Sequence, residues 1–197
     1  AAFNELFESK GKIFQSPKSV STLLQLLLMS SAKDSLIIDF FSGSASMAQA
    51  VMELNLEDGG SRRWLLVQIP DLTDETSDAF KAGFRTIAEV GKERIRRAGK
   101  KTKQENARKT GIEQLDVGFR VLKIDSSNMK EVFYTPDAVT QDLLSDQVNN
   151  IREDRTAEDL LFQVLLDWGV DLALPITQET MAGKAVFFVD ANVNGSP

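Results

Sequence analysis

The chain has 197 residues, a formal net charge of −6, and neither cysteine nor histidine. Its length fits one domain with a small appendage, and the two missing residue types exclude disulfide bonds, thiol nucleophiles, histidine acid–base chemistry and most zinc sites. Hydrophobic residues make up 42% of the sequence, but no apolar run reaches the roughly 18 residues of a membrane span. No secretory signal pattern opens the sequence, so we expect a cytoplasmic protein without a membrane anchor.

The first 15 residues show no clear periodicity and are predicted to be an irregular lead-in. A helix is predicted to begin at Ser16, Pro17 and Lys18, because proline is tolerated in the first turn of a helix. Its apolar face is formed by leucines at helical spacing, namely Leu23, Leu24, Leu27 and Leu28.

The central feature of the sequence is a short, buried, parallel strand at residues 36–38, followed by a turn of small residues and a helix that starts near residues 44–46. Gly43 permits a sharp turn because it accepts a positive φ. Free N–H groups at such a turn can hold a nucleotide or cofactor, and Asp39 at the strand end suits a ligand that carries an amine. An ordinary α/β unit without a ligand is the alternative. The dinucleotide fingerprint G-x-G-x-x-G is absent, since Gly43 is the only glycine of the turn.

A second buried strand is predicted at residues 64–69, after a turn at residues 57–60 and before Pro70. Asp71 follows this strand at its C-terminal end, where α/β sheets bind ligands and where a carboxylate commonly accepts the ribose hydroxyls. An ordinary acidic loop residue is the alternative interpretation of Asp71. Further along, the pattern predicts a helix at 79–98, an irregular segment at 99–110, a third strand at 118–125, helices at 137–151 and 156–168, and a hairpin at 177–190. In the helix at 156–168, the core stripe is predicted to consist of Leu160, Leu161, Val164, Leu165 and Trp168, and Gly169 ends the helix.

Charge is distributed unevenly along the chain. Residues 92–109 contain nine basic residues and two acidic ones, a local charge of +7 that leaves −13 for the remainder. Such asymmetry is typical of a phosphate-binding patch, while a solvated helix end with a mobile loop is the alternative.

Residues 39–46, with the sequence DFFSGSAS, resemble the D-x-F-x-G-S-G-T cofactor motif of DNA amino-methyltransferases that use S-adenosylmethionine. The longer pattern is similar to one group of that family, the methylation (Mod) subunits of type III restriction–modification systems. The resemblance covers nearly the whole chain and includes the phrases LNLEDGGSRR at 54–63, VQIPD at 67–71, GFRTI at 83–87, ERIRRA at 93–98 and DVGFRVLKIDSSN at 116–128. Ala45 and Ser46 depart from the motif, because the family usually has Gly and Thr there.

The resemblance implies a partial Rossmann-like methyltransferase sheet with helices on both faces, at residues 1–135, and a helical and hairpin extension at 136–197. It also implies S-adenosylmethionine as cofactor. Residues 14–19, FQSPKS, match most of a family phrase F-x-x-P-K-P that lines the cofactor pocket. By the same resemblance Asp39 binds the methionyl amine, backbone groups of the turn bind the methionyl end, and Asp71 binds the ribose. The full set of implied cofactor-binding residues is Phe14, Pro17, Lys18, Asp39, Phe40, Phe41, Gly43, Ser44 and Asp71.

The catalytic tetrapeptide of the family, [DNS]-P-P-[YFW], has no counterpart, because no two prolines are adjacent in these 197 residues. In the motif order of this group the tetrapeptide precedes the phrase represented by residues 14–18. We therefore expect the chain to be a C-terminal, cofactor-binding part of a DNA adenine methyltransferase, inactive on its own and without a catalytic residue or metal site. DNA, a restriction subunit and a second copy are the implied partners of the full-length protein, with residues 92–109 as a candidate DNA contact.

Two other functions remain open. The departures at Ala45 and Ser46 are compatible with a degenerate methyltransferase-like module that binds DNA or a restriction subunit but no cofactor. A nicotinamide-dependent oxidoreductase is disfavoured by the missing G-x-G-x-x-G.

Overall fold

The computed structural model describes residues 2–8, 11–130 and 150–191 of the chain. The chain divides into two compact units, residues 1–119 and 120–197. In its described residues each unit contains at least one helix and a two-stranded sheet, so the mixed α/β class predicted from the sequence is confirmed. The domain boundary predicted at residue 135 falls outside the described residues. No helix in the described part of the chain has the length and apolar character needed to cross a membrane.

The first unit is built on two parallel strands joined through a helix. Strand β1 (Leu36–Asp39) pairs with β2 (Arg63–Leu66), with Leu36 opposite Arg63 and Asp39 opposite Leu66. Helix α3 (Ser46–Asp58) connects the two strands, as the sequence predicted. Burial was predicted wrongly: the side chains of alternate residues face solvent, with Leu36 50% and Ile38 48% exposed. The strands therefore have one covered face and one open, apolar face.

Helix α3 forms the centre of the first unit. Its residues Ala48, Ala50, Val51, Met52 and Leu54 are almost entirely buried. Helix α2 (Val20–Ser30) and helix α5 (Ile87–Glu105) both pack against α3, and the short helix α1 (Ala2–Leu6) packs against α5. These contacts produce two apolar clusters that share α3.

Helix α2 begins later than predicted. Ser19 is its N-cap, and the Ser19 hydroxyl accepts a hydrogen bond from the Thr22 N–H. A serine cap satisfies one of the free N–H groups at the helix start, so Ser19 defines the boundary and the predicted start at residues 16–18 is wrong. Leu23 and Leu27 are buried, whereas Leu28 is 54% exposed.

The predicted helix at 79–98 is two helices. Helix α4 (Asp78–Lys81) ends before Gly83, whose φ is +92°, and α5 starts after a capping box formed by Thr86 and Glu89. The reciprocal hydrogen bonds of this box satisfy N–H groups at the start of α5, which fixes a new helix at that point. Helix α5 also continues to Glu105 through buried Thr102, so the prediction of an irregular segment from residue 99 is wrong.

The predicted third strand at 118–125 is absent: within the described residues this segment pairs with no strand. The side chain of Phe119 packs on Trp64 in the first unit, with ring centroids 6.0 Å apart. The side chains of Val121 and Ile124 are exposed. The apolar residues of this segment alternate like those of a strand, but the chain passes here from the first unit to the second.

The described part of the second unit contains one helix and a hairpin. Helix α6 (Ala157–Asp167) starts at a capping box of Thr156 and Asp159 and is followed by Gly169 with a φ of +68°, as predicted. Its predicted core stripe is wrong in part, because Leu165 is buried but Trp168 is 80% exposed. Strands β3 (Ile176–Met181) and β4 (Lys184–Val189) form the predicted antiparallel hairpin. The predicted helix at 137–151 lies outside the described residues, except for residues 150 and 151, which are not helical.

Candidate functional site

A carboxylate lies at the C-terminal end of strand β1. Asp39 is the last residue of this strand and is partly buried, and its Oδ1 accepts a hydrogen bond from the Phe41 N–H at 3.1 Å. Among residues 2–8, 11–130 and 150–191, no basic side chain forms an ion pair with Asp39. Because a carboxylate has two oxygens, Asp39 keeps capacity to accept hydrogen bonds from a ligand.

The turn after β1 is stabilised by its own backbone and by Gln68. Gly43 and Ala45 both have positive φ, of +51° and +58°. The Gly43 N–H donates to Gln68 Oε1 at 2.7 Å, and the Ala45 N–H donates to the Ser42 carbonyl oxygen at 2.7 Å. The prediction that the N–H groups of this turn are free to bind a ligand is therefore wrong for Gly43 and Ala45. Helix α3, which follows, has Ala45 as its N-cap without a side-chain hydrogen bond, so its first N–H groups have no side-chain cap.

A cavity of about 180 Å³ lies between this turn and the segment before helix α2. It brings together six of the residues implied by the family resemblance, namely Phe14, Lys18, Asp39, Phe41, Gly43 and Ser44. The other wall residues were not predicted: Ser16, Leu23, Ser42, Ser46 and Met47. Small-molecule sites usually measure roughly 300–1,000 Å³, so this cavity can enclose part of a nucleoside-sized ligand and not all of it.

Three implied site residues lie outside the cavity wall. Phe40 is 65% exposed, and Pro17 is partly buried without contributing to the wall. The Asp71 side chain is exposed. The backbone of Asp71 joins two loops, because its N–H donates to the Ile69 carbonyl oxygen at 2.8 Å and its carbonyl oxygen accepts from the Ile87 N–H at 2.9 Å.

Arg94 was not singled out from the sequence; it contacts two residues of the cavity wall without lining the cavity itself. It lies on α5 and is only 2% exposed. Its Nη1 donates to the hydroxyls of Ser44 and Ser46, at 2.8 and 2.6 Å. Burial lowers the pKa of the Arg94 guanidinium to about 10, against an opposing effect of Glu53. Helical spacing places Arg94 on the buried face of α5, four residues after Val90 and four before Ala98, but the sequence does not show which groups it contacts.

The basic stretch at 92–109 divides into residues with different surroundings. Arg94 is buried, whereas Arg96 and Arg97 both pair with Glu93, at 3.6 and 2.7 Å. Lys101 pairs with Glu105 at 3.7 Å. Part of the local positive charge is therefore compensated within helix α5, and DNA contact by this stretch stays a prediction.

No family model matches the chain. Individual proteins do. The chain is 39% identical to the type III restriction–modification enzyme EcoPI Mod subunit of Escherichia phage P1 over 103 residues, which are 51% of this chain and 16% of that protein. It is 37% identical to the StyLTI Mod subunit of Salmonella typhimurium over 55% of this chain and 16% of that protein. It is also 37% identical to the type II methyltransferase M.KpnI of Klebsiella pneumoniae over 45% of this chain and 22% of that protein.

These matches define the class: the chain is related to methyltransferases of restriction–modification systems. Within that class it is related to the Mod subunits of type III enzymes, which confirms the resemblance to that family over 51–61% of this chain and not over nearly all of it. The matched stretch makes up only 16% of the length of the EcoPI and StyLTI relatives.

Proposed function

We propose that the chain is the cofactor-binding C-terminal part of a site-specific DNA adenine methyltransferase of a type III restriction–modification system, and that it binds S-adenosylmethionine at the cavity beside β1. The observation that carries this proposal is the cavity itself, where the Asp39 carboxylate, the turn at residues 42–46 and the segment with Phe14 and Lys18 meet. This is the group of residues that the family resemblance assigns to the methyl donor.

Each wall of the cavity suits one part of the methionyl end of the donor. Asp39 provides a carboxylate for the amine. The N-terminus of α3 carries the positive end of the helix dipole and N–H groups without a side-chain cap, which suits the carboxylate of the donor. Phe14 and Phe41 provide apolar contacts for the methylene groups. Because the cavity is small, the ribose and adenine of the donor would lie outside it, with Asp71 and Phe40 as candidate contacts.

The rest of the proposal concerns the full-length protein. We infer a Rossmann-like sheet with helices on both faces, since the apolar residues Leu36, Ile38 and Leu65 are about half exposed on the open face of β1 and β2, whereas parallel sheets are normally covered on both faces. We also infer a cytoplasmic enzyme that acts on DNA as a dimer with a separate restriction subunit. The tetrapeptide that would receive the target adenine is absent from these 197 residues.

Calorimetric titration with S-adenosylmethionine tests the cofactor site. The variant Asp39→Asn keeps an oxygen that can accept from the Phe41 N–H but removes the negative charge. We expect the dissociation constant to rise about 10- to 100-fold, because a hydrogen bond to a charged group contributes about 1.5–3 kcal/mol. The matched control is Asp34→Asn, which removes the same charge from an exposed residue in the turn before β1, at the opposite end of the strand from Asp39. Equal affinities for Asp39→Asn and wild type would refute the assignment.

An assay of methyl transfer to DNA tests the inference that this chain lacks the catalytic tetrapeptide. The chain of 197 residues, incubated with labelled S-adenosylmethionine and DNA, is expected to transfer no label. Measurable transfer would show that an acceptor site exists within this chain.

A further inference from the structure

The guanidinium of Arg94 reaches from helix α5 to the turn that follows β1. Nη1 donates to Ser44 Oγ at 2.8 Å, to Ser46 Oγ at 2.6 Å and more weakly to the Ser44 carbonyl oxygen at 3.4 Å. Nε and Nη2 both donate to Gln49 Oε1, at 3.1 and 3.0 Å. Arg94 thus contacts the last part of the turn, the first residue of α3 and the second turn of that helix.

Burial of the Arg94 side chain carries a cost in desolvation free energy. Arg94 is 2% exposed, and its hydrogen-bond acceptors among the described residues are hydroxyl, amide and carbonyl oxygens, none of them a carboxylate. The face of the Phe3 ring, with its centroid 4.9 Å from Cζ, gives the cation one further favourable contact. Glu53 raises the pKa of Arg94 but forms no direct ion pair with it among the described residues, so burying this charge carries a desolvation cost.

The two serines that Arg94 contacts are buried and also line the cavity. Each hydroxyl oxygen accepts a hydrogen bond from Nη1, so each hydroxyl hydrogen must point away from the guanidinium. The two oxygens lie 3.4 Å apart, and only one hydrogen can bridge them. At least one serine hydroxyl hydrogen is therefore left without an acceptor among the described residues, and both serines line the cavity.

Helix α5 supports the same turn at a second position. A Cβ atom on Gly91, three residues before Arg94, would lie 3.2 Å from the Gly43 carbonyl oxygen and 3.5 Å from Ala45 Cβ. Gly91 and Arg94 lie on the same side of the helix because residues three apart are neighbours. The turn is thus held from one side by the backbone of α5 and by the Arg94 side chain.

We propose that Arg94 is a positioning residue that fixes the turn at residues 43–46 and orients the hydroxyls of Ser44 and Ser46 as hydrogen-bond donors to the carboxylate of the methyl donor. This inference rests on the proposed function, because it takes the donor as the occupant of the cavity. Arg94 itself does not touch the ligand. Its charge and the start of α3 also make this end of the cavity favourable for an anion.

Two ligands distinguish this role from a merely structural one. S-adenosylmethionine carries the carboxylate, whereas 5′-methylthioadenosine has the same nucleoside without the amino-acid part. In calorimetric titrations, Arg94→Met is expected to weaken S-adenosylmethionine binding about 10- to 100-fold and methylthioadenosine binding less than about threefold. Arg94→Lys keeps the charge but not the planar fork and is expected to fall between Arg94→Met and wild type. Equal weakening of both ligands, or of neither, would overturn the proposal.

Arg62→Met is the matched control, since Arg62 is a second buried arginine of the same unit and lies outside the cavity wall. It should lower stability while leaving both affinities within about threefold of wild type. Amide hydrogen exchange without ligand separates this inference from the proposed function. Faster exchange at residues 43–47 in Arg94→Met, but not in Arg62→Met, supports the positioning role. This support holds even if the wild-type chain binds neither ligand. Absence of binding would refute the proposed function alone. Unchanged exchange at residues 43–47 would overturn the role of Arg94.

Discussion

Replacing Arg62 by methionine should strongly destabilise the first unit. The Arg62 guanidinium forms a bidentate ion pair with Asp58, with Nη1 3.1 Å from Oδ1 and Nη2 2.9 Å from Oδ2. Nε also donates to Ser31 Oγ at 3.0 Å. The backbone of Arg62 is bound in addition by the Asn55 side chain, whose Nδ2 donates to the Arg62 carbonyl oxygen at 2.8 Å. This cluster joins the ends of α2 and α3 to the start of β2.

The expected loss in the free energy of unfolding is about 3 kcal/mol. Breaking one partner out of a buried ion pair costs about 3–5 kcal/mol, because the remaining charge is left without compensation. The Asp58 side chain is 19% exposed, so water can reach it in the variant and the lower end of this range applies. Methionine retains much of the apolar packing of the arginine stem. For a unit of this size, 3 kcal/mol corresponds to a decrease in Tm of roughly 10–15 °C.

Urea denaturation of a double-mutant cycle measures this contribution. The cycle consists of wild type, Arg62→Met, Asp58→Asn and the double variant, followed by circular dichroism. Because the two side chains are in direct contact, we expect a coupling free energy on the order of 1–3 kcal/mol, with the double variant more stable than the sum of the single changes implies. Additive effects within about 0.5 kcal/mol would refute the reasoning, as would a single loss below about 1 kcal/mol for Arg62→Met.

Two further predictions follow from the same unit. The hydrogen bond from Arg62 lowers the pKa of Asp58, so the pKa of this carboxyl in the folded state lies below its value in the unfolded state. The resulting stabilisation of the folded state is present above about pH 4 and is lost as the pH falls through the folded-state pKa. Acid titration of unfolding should therefore show a flatter decline in Asp58→Asn than in wild type, and identical slopes would contradict this. Gly91→Ala adds about 1 kcal/mol of helix propensity but places Cβ 3.2 Å from the Gly43 carbonyl oxygen. For Gly91→Ala we expect a free energy of unfolding within about 1 kcal/mol of wild type and weaker binding of S-adenosylmethionine. An unchanged affinity would show that the turn tolerates the contact.

The parts of the fold that the sequence predicts correctly depend on local signals. The strand–turn–helix at residues 36–58, the capping box at Thr156 and the hairpin turn at Ala182 and Gly183 are each specified by neighbouring residues. The capping box of Thr86 and Glu89 is equally local, and four residues with the pattern T-x-x-E would have revealed the break in the predicted helix at 79–98. The prediction of a third strand at residues 118–125 was wrong for a different reason. Alternating apolar residues at 118–125 satisfy a strand pattern, but whether a neighbouring strand exists is decided by distant parts of the chain.

The sequence predicts those residues of the candidate site that belong to the family motif. It does not predict the residues that reach the site through tertiary contacts. Residues near the turn, such as Asp39 and Ser44, come together in one cavity because they are close in sequence. Arg94 lies 50 positions from Ser44, and the next two cations along the chain, Arg96 and Arg97, both pair with Glu93. Gln68 lies 25 positions from Gly43, in the loop that follows β2, where a polar residue usually faces solvent. Neither contact follows from periodicity or composition.

The departure at Ala45 can now be interpreted physically. A residue other than glycine in the left-handed region costs about 1–2 kcal/mol, and Ala45 has a φ of +58°. Its side chain is nevertheless 2% exposed, is absent from the cavity wall and faces α5 where Gly91 has no side chain. The extra methyl group therefore occupies space provided by Gly91 and leaves the cavity unobstructed. The alternative of a degenerate module that lost its cofactor through Ala45 accordingly gains no support from this residue, whose cost falls on the stability of the turn and not on access to the cavity.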